Sequence, residues 1–336
     1  MADNEEEVVR HDADDRYGSL DKDLVELLKN YEYTHFREDK PIPFCGLNIY
    51  PVQVRNYEEF ASCCSCLTLN KNEDPNGVAM SHLDYLISKL KIEENNEGRI
   101  WSFKLQRLFE LIFRIKNGLK CEHCGNIMEY TSPTYLEYKK KIADLIEQIQ
   151  KNPEAQNIET PQLLCPECGG DKLSNMISIV QDPKTKKNAF SVDGHIINKN
   201  DFVKLRQIVL FQNYPDYADE SDIDPEVKKD HDEKMRIQMA NNDVHATIEK
   251  KVIGLSVATH YKPNEVYDMS IRRFTMSLST VDDLINYKIM KQSVMSGFVS
   301  LPKGKTVEHW LYKPNKDIYG DSYKSTDQVQ ESVSNL

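Results

Sequence analysis

Apolar residues along this chain recur mainly at alternating steps of three and four, the spacing of helices that bury one face. Leu24, Val25, Leu27 and Leu28 predict a first helix capped by Ser19. Tyr57, Phe60, Cys64 and Leu67 predict a second behind Asn56, and Leu83, Leu86, Ile87 and Leu90 a third behind Ser81. Trp101, Leu105, Leu108, Ile112 and Ile115 continue the pattern, and Tyr135, Tyr138, Ile142, Leu145 and Ile149 repeat it over residues 133–151. Phe202, Leu205, Val209 and Leu210 follow Asn200 in a helix that stops before Pro215. Asp224-Pro225-Glu226 starts another, with proline at the first helical position. Residues 244–259 and 269–295 complete the series, the last ending at Gly297.

Extended segments are few. Leu47, Ile49, Val52 and Val54 lie in a strand-like stretch from Pro41, with Cys45-Gly46 as a turn. Pro51 confines the second strand to an edge or bulge. Residues 176–180 and 189–192 are two further β-prone runs, and Asp193-Gly194 makes a turn. The fold class is therefore mainly α with a small β element. Five regions are expected: a disordered acidic tail (1–18), an N-terminal helical domain with a short β element (19–117), an inserted zinc-ribbon-like domain (118–197), a C-terminal helical domain (198–311) and a flexible tail (312–336). No internal repeat is visible.

Composition narrows the functional classes. A chain of 336 residues can bury a real core. Its formal charge of −11 argues against coating nucleic acid or an anionic membrane through the overall field. No apolar run reaches the ~18–20 residues of a membrane span, and the acidic N-terminus is the reverse of a signal peptide. A soluble protein made in a cytosol is expected. In that reducing setting the eight cysteines point to metal rather than to disulfides.

Four of them carry the strongest chemistry in the chain. Cys121-Glu-His-Cys124 is followed, after forty residues beginning with Gly125, by Cys165-Pro-Glu-Cys168-Gly169-Gly170. A two-residue gap lets both thiolates of one tight turn reach the same ion, and the glycine permits the left-handed turn that aims N–H groups at sulfur. Two such knuckles complete a tetrahedral site with no open position, so one structural zinc ion on Cys121, Cys124, Cys165 and Cys168 is expected, with no catalytic role. The spacer exceeds the usual length because the 133–151 helix is inserted in it. Two unrelated cysteine pairs, or a redox motif, would be the plainer alternative. His123 could replace a cysteine, but four thiolates need no substitute.

Other candidates have bland readings that fit better. Cys63, Cys64 and Cys66, with Cys45 nearby, suggest a second metal or redox cluster, yet they fall on an amphipathic helix where cysteine packs as a small hydrophobe. Lys184, Lys186 and Lys187 could touch phosphates, but residues 118–197 carry nine Lys and Arg against eleven Asp and Glu, which favours a solvated hairpin tip. Gly304-Lys305-Thr306 lacks the upstream glycine of a phosphate-binding loop. Asp230-His231-Asp232 reads as a solvated face. Ile289, Met290, Val294 and Met295 read first as core filling, and second as an adaptable partner surface. No nucleophile elbow, zinc-protease motif or dinucleotide fingerprint occurs, so a non-enzyme is expected.

Three stretches carry a family resemblance: residues 41–52 with Leu67-Thr-Leu-Asn-Lys71, residues 201–213, and Met269-Ser-Ile-Arg-Arg-Phe274 leading into residues 287–299. Together they make the chain similar to tail-morphogenesis proteins of large tailed bacteriophages, the baseplate-hub and tail-assembly factors. The resemblance implies a non-enzymatic structural or assembly role, with other tail or baseplate proteins as partners. It further implies a place in the host cytoplasm or in the virion tail. The alternative is a zinc-ribbon nucleic-acid-binding factor in replication or transcription, using Lys184, Lys186 and Lys187. An enzyme with a dispersed site comes third.

Overall fold

Local sequence signals set most element boundaries. The computed structural model describes Tyr17, residues 20–71, 74–93, 96–151, 161–218, Lys229, Glu233, Arg236, residues 246–297 and 299–301, Val307 and residues 309–311. Helix α1 (Lys22–Thr34) is capped by Asp21, whose carboxylate accepts from the Asp23 N–H at 2.8 Å; the cap expected at Ser19 lies outside the described residues. Strands β1 (Ile42–Phe44) and β2 (Leu47–Ile49) form a hairpin through Cys45 and Gly46, both at positive φ. Helix α2 (Tyr57–Cys64) follows, without a side-chain cap from Asn56. Ser81 does cap α3 (His82–Leu90), accepting from the Asp84 N–H at 3.1 Å. Helix α4 (Glu97–Phe113) ends where Arg114 turns left-handed, so Ile115 is not part of it.

The chain divides into two compact units, one of Met1–Asn30, Gln53–Arg55 and Asn213–Leu336, the other of Tyr31–Val52 and Asn56–Gln212. Besides the β1–β2 hairpin, the second unit holds two three-stranded antiparallel sheets. In the first, β3 (Gly118–Cys121) is central, between β4 (Ile127–Glu129) and β5 (Leu173–Asn175). Helix α5 (Pro133–Lys151) lies between β4 and β5 in the chain. The other sheet runs β6 (Ile177–Gln181), β7 (Asn188–Val192), β8 (His195–Ile197), with β7 central.

Helix α6 (Lys199–Asn213) closes this unit's core. Asn198, not Asn200, is its cap: the Asn198 side-chain oxygen accepts from the Asn200 and Asp201 N–H groups at 2.9 and 3.1 Å. Every residue from Leu205 to Asn213 is buried, so this helix has no solvent face there. Phe190 of β7, fully buried, meets Phe109 of α4 edge-on at 5.6 Å and Phe202 of α6 at 5.8 Å. Arg206, also buried, donates to the Leu67 carbonyl and lies 3.1 Å from His82 Nε2. Residues 118–197 share one unit with α2–α4 because β7 is part of the same aromatic core.

The other unit is built on α7 (Ile248–Thr259), α8 (Pro263–Asp268) and α9 (Ile271–Met295). Val252, Leu255, Val266 and Phe274 form its core together with Val54, which reaches it from the short segment 53–55. The Val54 N–H donates to the Met269 carbonyl at 2.9 Å, and Arg55 pairs with Asp268. Thr247 and Ser270 cap α7 and α9 through their hydroxyls. The distal part of α9 is open: Ile289, Met290 and Met295 are exposed, which corrects the expectation that they fill a core. The helix expected from Asp224 to about residue 240, the two tails and Gly304-Lys305-Thr306 lie outside the described residues, Tyr17, Lys229, Glu233 and Arg236 apart.

Candidate metal centre

The two Cys-x-x-Cys turns are built alike. In the first, the Cys121 N–H donates to the Asn126 carbonyl at 2.8 Å and the Gly125 N–H to the Cys121 carbonyl at 2.9 Å. In the second, the Cys165 N–H donates to the Gly170 carbonyl at 2.8 Å and the Gly169 N–H to the Cys165 carbonyl at 2.9 Å. Gly125 and Gly169 both sit at positive φ, where a side chain would be strained. The turns are tied together by the Glu122 N–H, which donates to the Lys172 carbonyl at 3.0 Å, and by β3, which pairs with the strands leaving both knuckles.

This scaffold brings the four sulfurs into one cluster. Cys121 Sγ lies 3.6 Å from Cys168 Sγ, and Cys124 Sγ lies 3.5 Å from Cys165 Sγ. All four lie within 4.8 Å of one another. A tetrahedron of thiolates around one zinc requires sulfur separations of about 3.8 Å, so the set fits a single tetrahedral ion with small adjustment. Cys121 and Cys165 are buried; Cys124 and Cys168 are exposed. Backbone N–H groups of Cys168 and Glu167 aimed at the Cys165 sulfur pull its thiol down to about 6, against the cost of burial. Cys168 also receives the Gly170 N–H, but its sulfur neighbours and burial push it up to about 12.

Gly170 matters sterically. A Cβ there would stand 3.3 Å from Cys168 Sγ and 3.4 Å from Cys121 Sγ. In sequence, the doubled Gly169-Gly170 is the signal that marks this position. His123 is exposed, and among the described residues no other group of histidine, cysteine and carboxylate side chains comes within reach of a common ion. Cys63, Cys64 and Cys66 are buried in the helical core, and burial pushes the Cys66 thiol up to about 12. Cys45 sits apart, in the β1–β2 turn, with its thiol raised to about 11 by desolvation and by Asp201.

Lys184, Lys186 and Lys187 are exposed on the β6–β7 turn. That turn belongs to the sheet packed on the helical core, not to the sheet carrying the cysteines. Asp182 organises it: buried, it accepts from the Lys184 N–H at 2.9 Å and the Thr185 hydroxyl at 2.8 Å.

The protein is mainly helical with small antiparallel sheets, and between its helical regions four thiols on paired knuckles form a candidate site for one metal ion. A family model described as the YomV second domain matches residues 238–315, the stretch containing α7, α8 and α9, and points to a phage-associated protein family. No curated protein matches the chain, and no solved structure does. Among the described residues no helix is long and apolar enough to cross a membrane.

Proposed function

We propose that this is a non-enzymatic phage structural or assembly protein, stapled by one structural zinc on Cys121, Cys124, Cys165 and Cys168. It works through contacts with other tail or baseplate proteins, in the host cytoplasm or in the virion tail. The observation that carries this reading is the closed sulfur set. Four thiolates fill a tetrahedral ion, leave no position for water or substrate, and suit zinc among the common divalent ions. The zinc would hold β3, β4 and β5 and both ends of the α5 insertion in register, with no reacting atom to attack.

The match of residues 238–315 to a phage-associated family supports the viral setting, and the exposed Ile289, Met290 and Met295 on α9 support a surface for protein partners. The nucleic-acid alternative has less support. Its three lysines stand on a turn shaped by Asp182, on a sheet separate from the knuckles.

The test is recovery of the tagged full chain from infected cells, with partners quantified by mass spectrometry. Tail or baseplate proteins should be enriched, and equally so when Lys184, Lys186 and Lys187 are changed to Glu. Enrichment of polymerase or replication proteins, or DNA binding that falls steeply with salt and with those substitutions, would overturn the reading. Elemental analysis should return one zinc per chain.

A further inference from the structure

The four sulfurs of the knuckle cluster are not equivalent. Cys124 and Cys168, one on each knuckle, are exposed, whereas Cys121 and Cys165 are buried. Two sulfur contacts cross between the knuckles, and each joins an exposed sulfur to a buried one. Cys124 Sγ meets Cys165 Sγ at 3.5 Å, and Cys168 Sγ meets Cys121 Sγ at 3.6 Å. Gly170 shows the same crossing from the backbone side. A Cβ there would stand against Cys168 Sγ and Cys121 Sγ together, so these two sulfurs converge over a position with no side chain to part them.

The backbone keeps the crossed pairs face to face. The Glu122 N–H bond to the Lys172 carbonyl ties the first knuckle to the chain just after the second, and Cys121 pairs with Leu173 in the β3–β5 ladder. Each sulfur therefore needs to travel only about 0.8 Å to close a disulfide of about 2 Å. The remaining thiols stand apart: Cys63, Cys64 and Cys66 are buried in the helical core, and Cys45 is exposed in the β1–β2 turn.

We propose that the cluster is a redox-sensitive staple: an oxidant of the peroxide class joins Cys124 to Cys165 and Cys121 to Cys168, and the two disulfides hold the knuckles together in place of the metal. The inference rests on the structural-zinc reading and adds its regulation. In each pair the exposed thiolate attacks a peroxide oxygen; the O–O bond breaks, leaving a sulfenic acid and, after one proton is taken up, a water. The buried thiolate across the cluster then attacks that sulfur. The S–O bond breaks, the S–S bond forms, and the departing hydroxide takes a second proton to become water. Each disulfide thus consumes one peroxide and two protons, and two disulfides leave no thiolate to hold an ion. Because both bonds join the same turns that the metal joins, β3 keeps its two neighbours. A chain built in a reducing cytosol and carried out of it would exchange one cross-link for the other without loosening the sheet.

The experiment treats the zinc-loaded full chain, carrying Cys45→Ser to remove the exposed thiol outside the cluster, with hydrogen peroxide. Zinc is measured by elemental analysis before and after, and the bonds are mapped by mass spectrometry of an unreduced digest with a glutamate-specific protease. Glu122 and Glu167 lie inside the two knuckles, so cleavage there separates Cys121 from Cys124 and Cys165 from Cys168. The expected result is loss of bound zinc, the pairs Cys124–Cys165 and Cys121–Cys168, knuckle amides still protected from hydrogen exchange, and recovery of zinc binding on reduction. Cys124→Ser with Cys165→Ser should still yield Cys121–Cys168; should that variant fail to fold, the map of the four-cysteine cluster decides alone. Disulfides within one knuckle, sulfinic or sulfonic acids without disulfides, or zinc retained in full would each overturn the proposal. Crossed pairs from a chain that arrives without zinc would support the pairing and overturn only the metal reading.

Discussion

Removing the ion should unfold the knuckle sheet while sparing the aromatic core. The two turns, Cys121–Gly125 and Cys165–Gly170, fix eleven residues, at a backbone entropy cost of roughly 11–22 kcal/mol. Apart from the cysteines, the buried apolar side chains of residues 118–131 and 161–176 are Met128 and Met176, which contribute about 3–6 kcal/mol together. A structural zinc supplies on the order of 10–16 kcal/mol. The sum balances only with the metal present. Hydrogen exchange followed by mass spectrometry, with and without a strong chelator, reads this directly. After chelation the Cys121, Gly125, Cys165 and Gly169 amides should exchange at close to random-coil rates, while β7 and α6 remain protected around Phe190. The reasoning fails if the knuckle amides stay protected without metal, if all four cysteines can be changed to Ser with the sheet intact, or if β7 and α6 melt together with the knuckles.

Other consequences follow from single residues. Phe190→Ala removes a fully buried ring that touches Phe109 and Phe202, and should cost about 3–5 kcal/mol in denaturant unfolding with metal content unchanged. Gly170→Ala places a methyl group against two ligand sulfurs and should weaken zinc binding about tenfold in competition titrations against a chromophoric chelator. The Lys184 N–H and Thr185 hydroxyl hold the Asp182 carboxyl below its ordinary value. Its stabilising effect is therefore complete above the ordinary aspartate range and is lost as pH falls through the lowered value. Asp182→Asn should then destabilise the protein at neutral pH and make little difference in strong acid, as followed by thermal unfolding across pH.

Much of the fold was readable where a local rule decides it. The spacing from Tyr135 to Ile149 predicted the α5 limits, Ser81 predicted the cap of α3, and Cys45-Gly46 predicted a turn. The cysteine spacing identified all four sulfurs that converge. Strands β3, β4, β5 and β8 escaped because three or four residues show no period. Asn198 and Asn200 are equally good caps by type, and only the backbone path chooses between them. The grouping of β7 with α4 and α6 depends on Phe190 meeting residues far away in the chain, which no local pattern encodes. The exposure of Met290 and Met295 was missed for a related reason: an apolar face looks the same in sequence whether or not a neighbour covers it.

Val54 carries a practical lesson for anyone cutting this chain. The family match begins at residue 238, so a fragment designed on it would leave out the valine that fills the space among Val252, Leu255, Val266 and Phe274. Such a truncation would expose a hollow about one side chain deep and leave the Met269 carbonyl without the amide that reaches it in the whole protein. Supplying residues 53–55 in trans, or fusing them ahead of α7, should recover solubility that the bare fragment lacks.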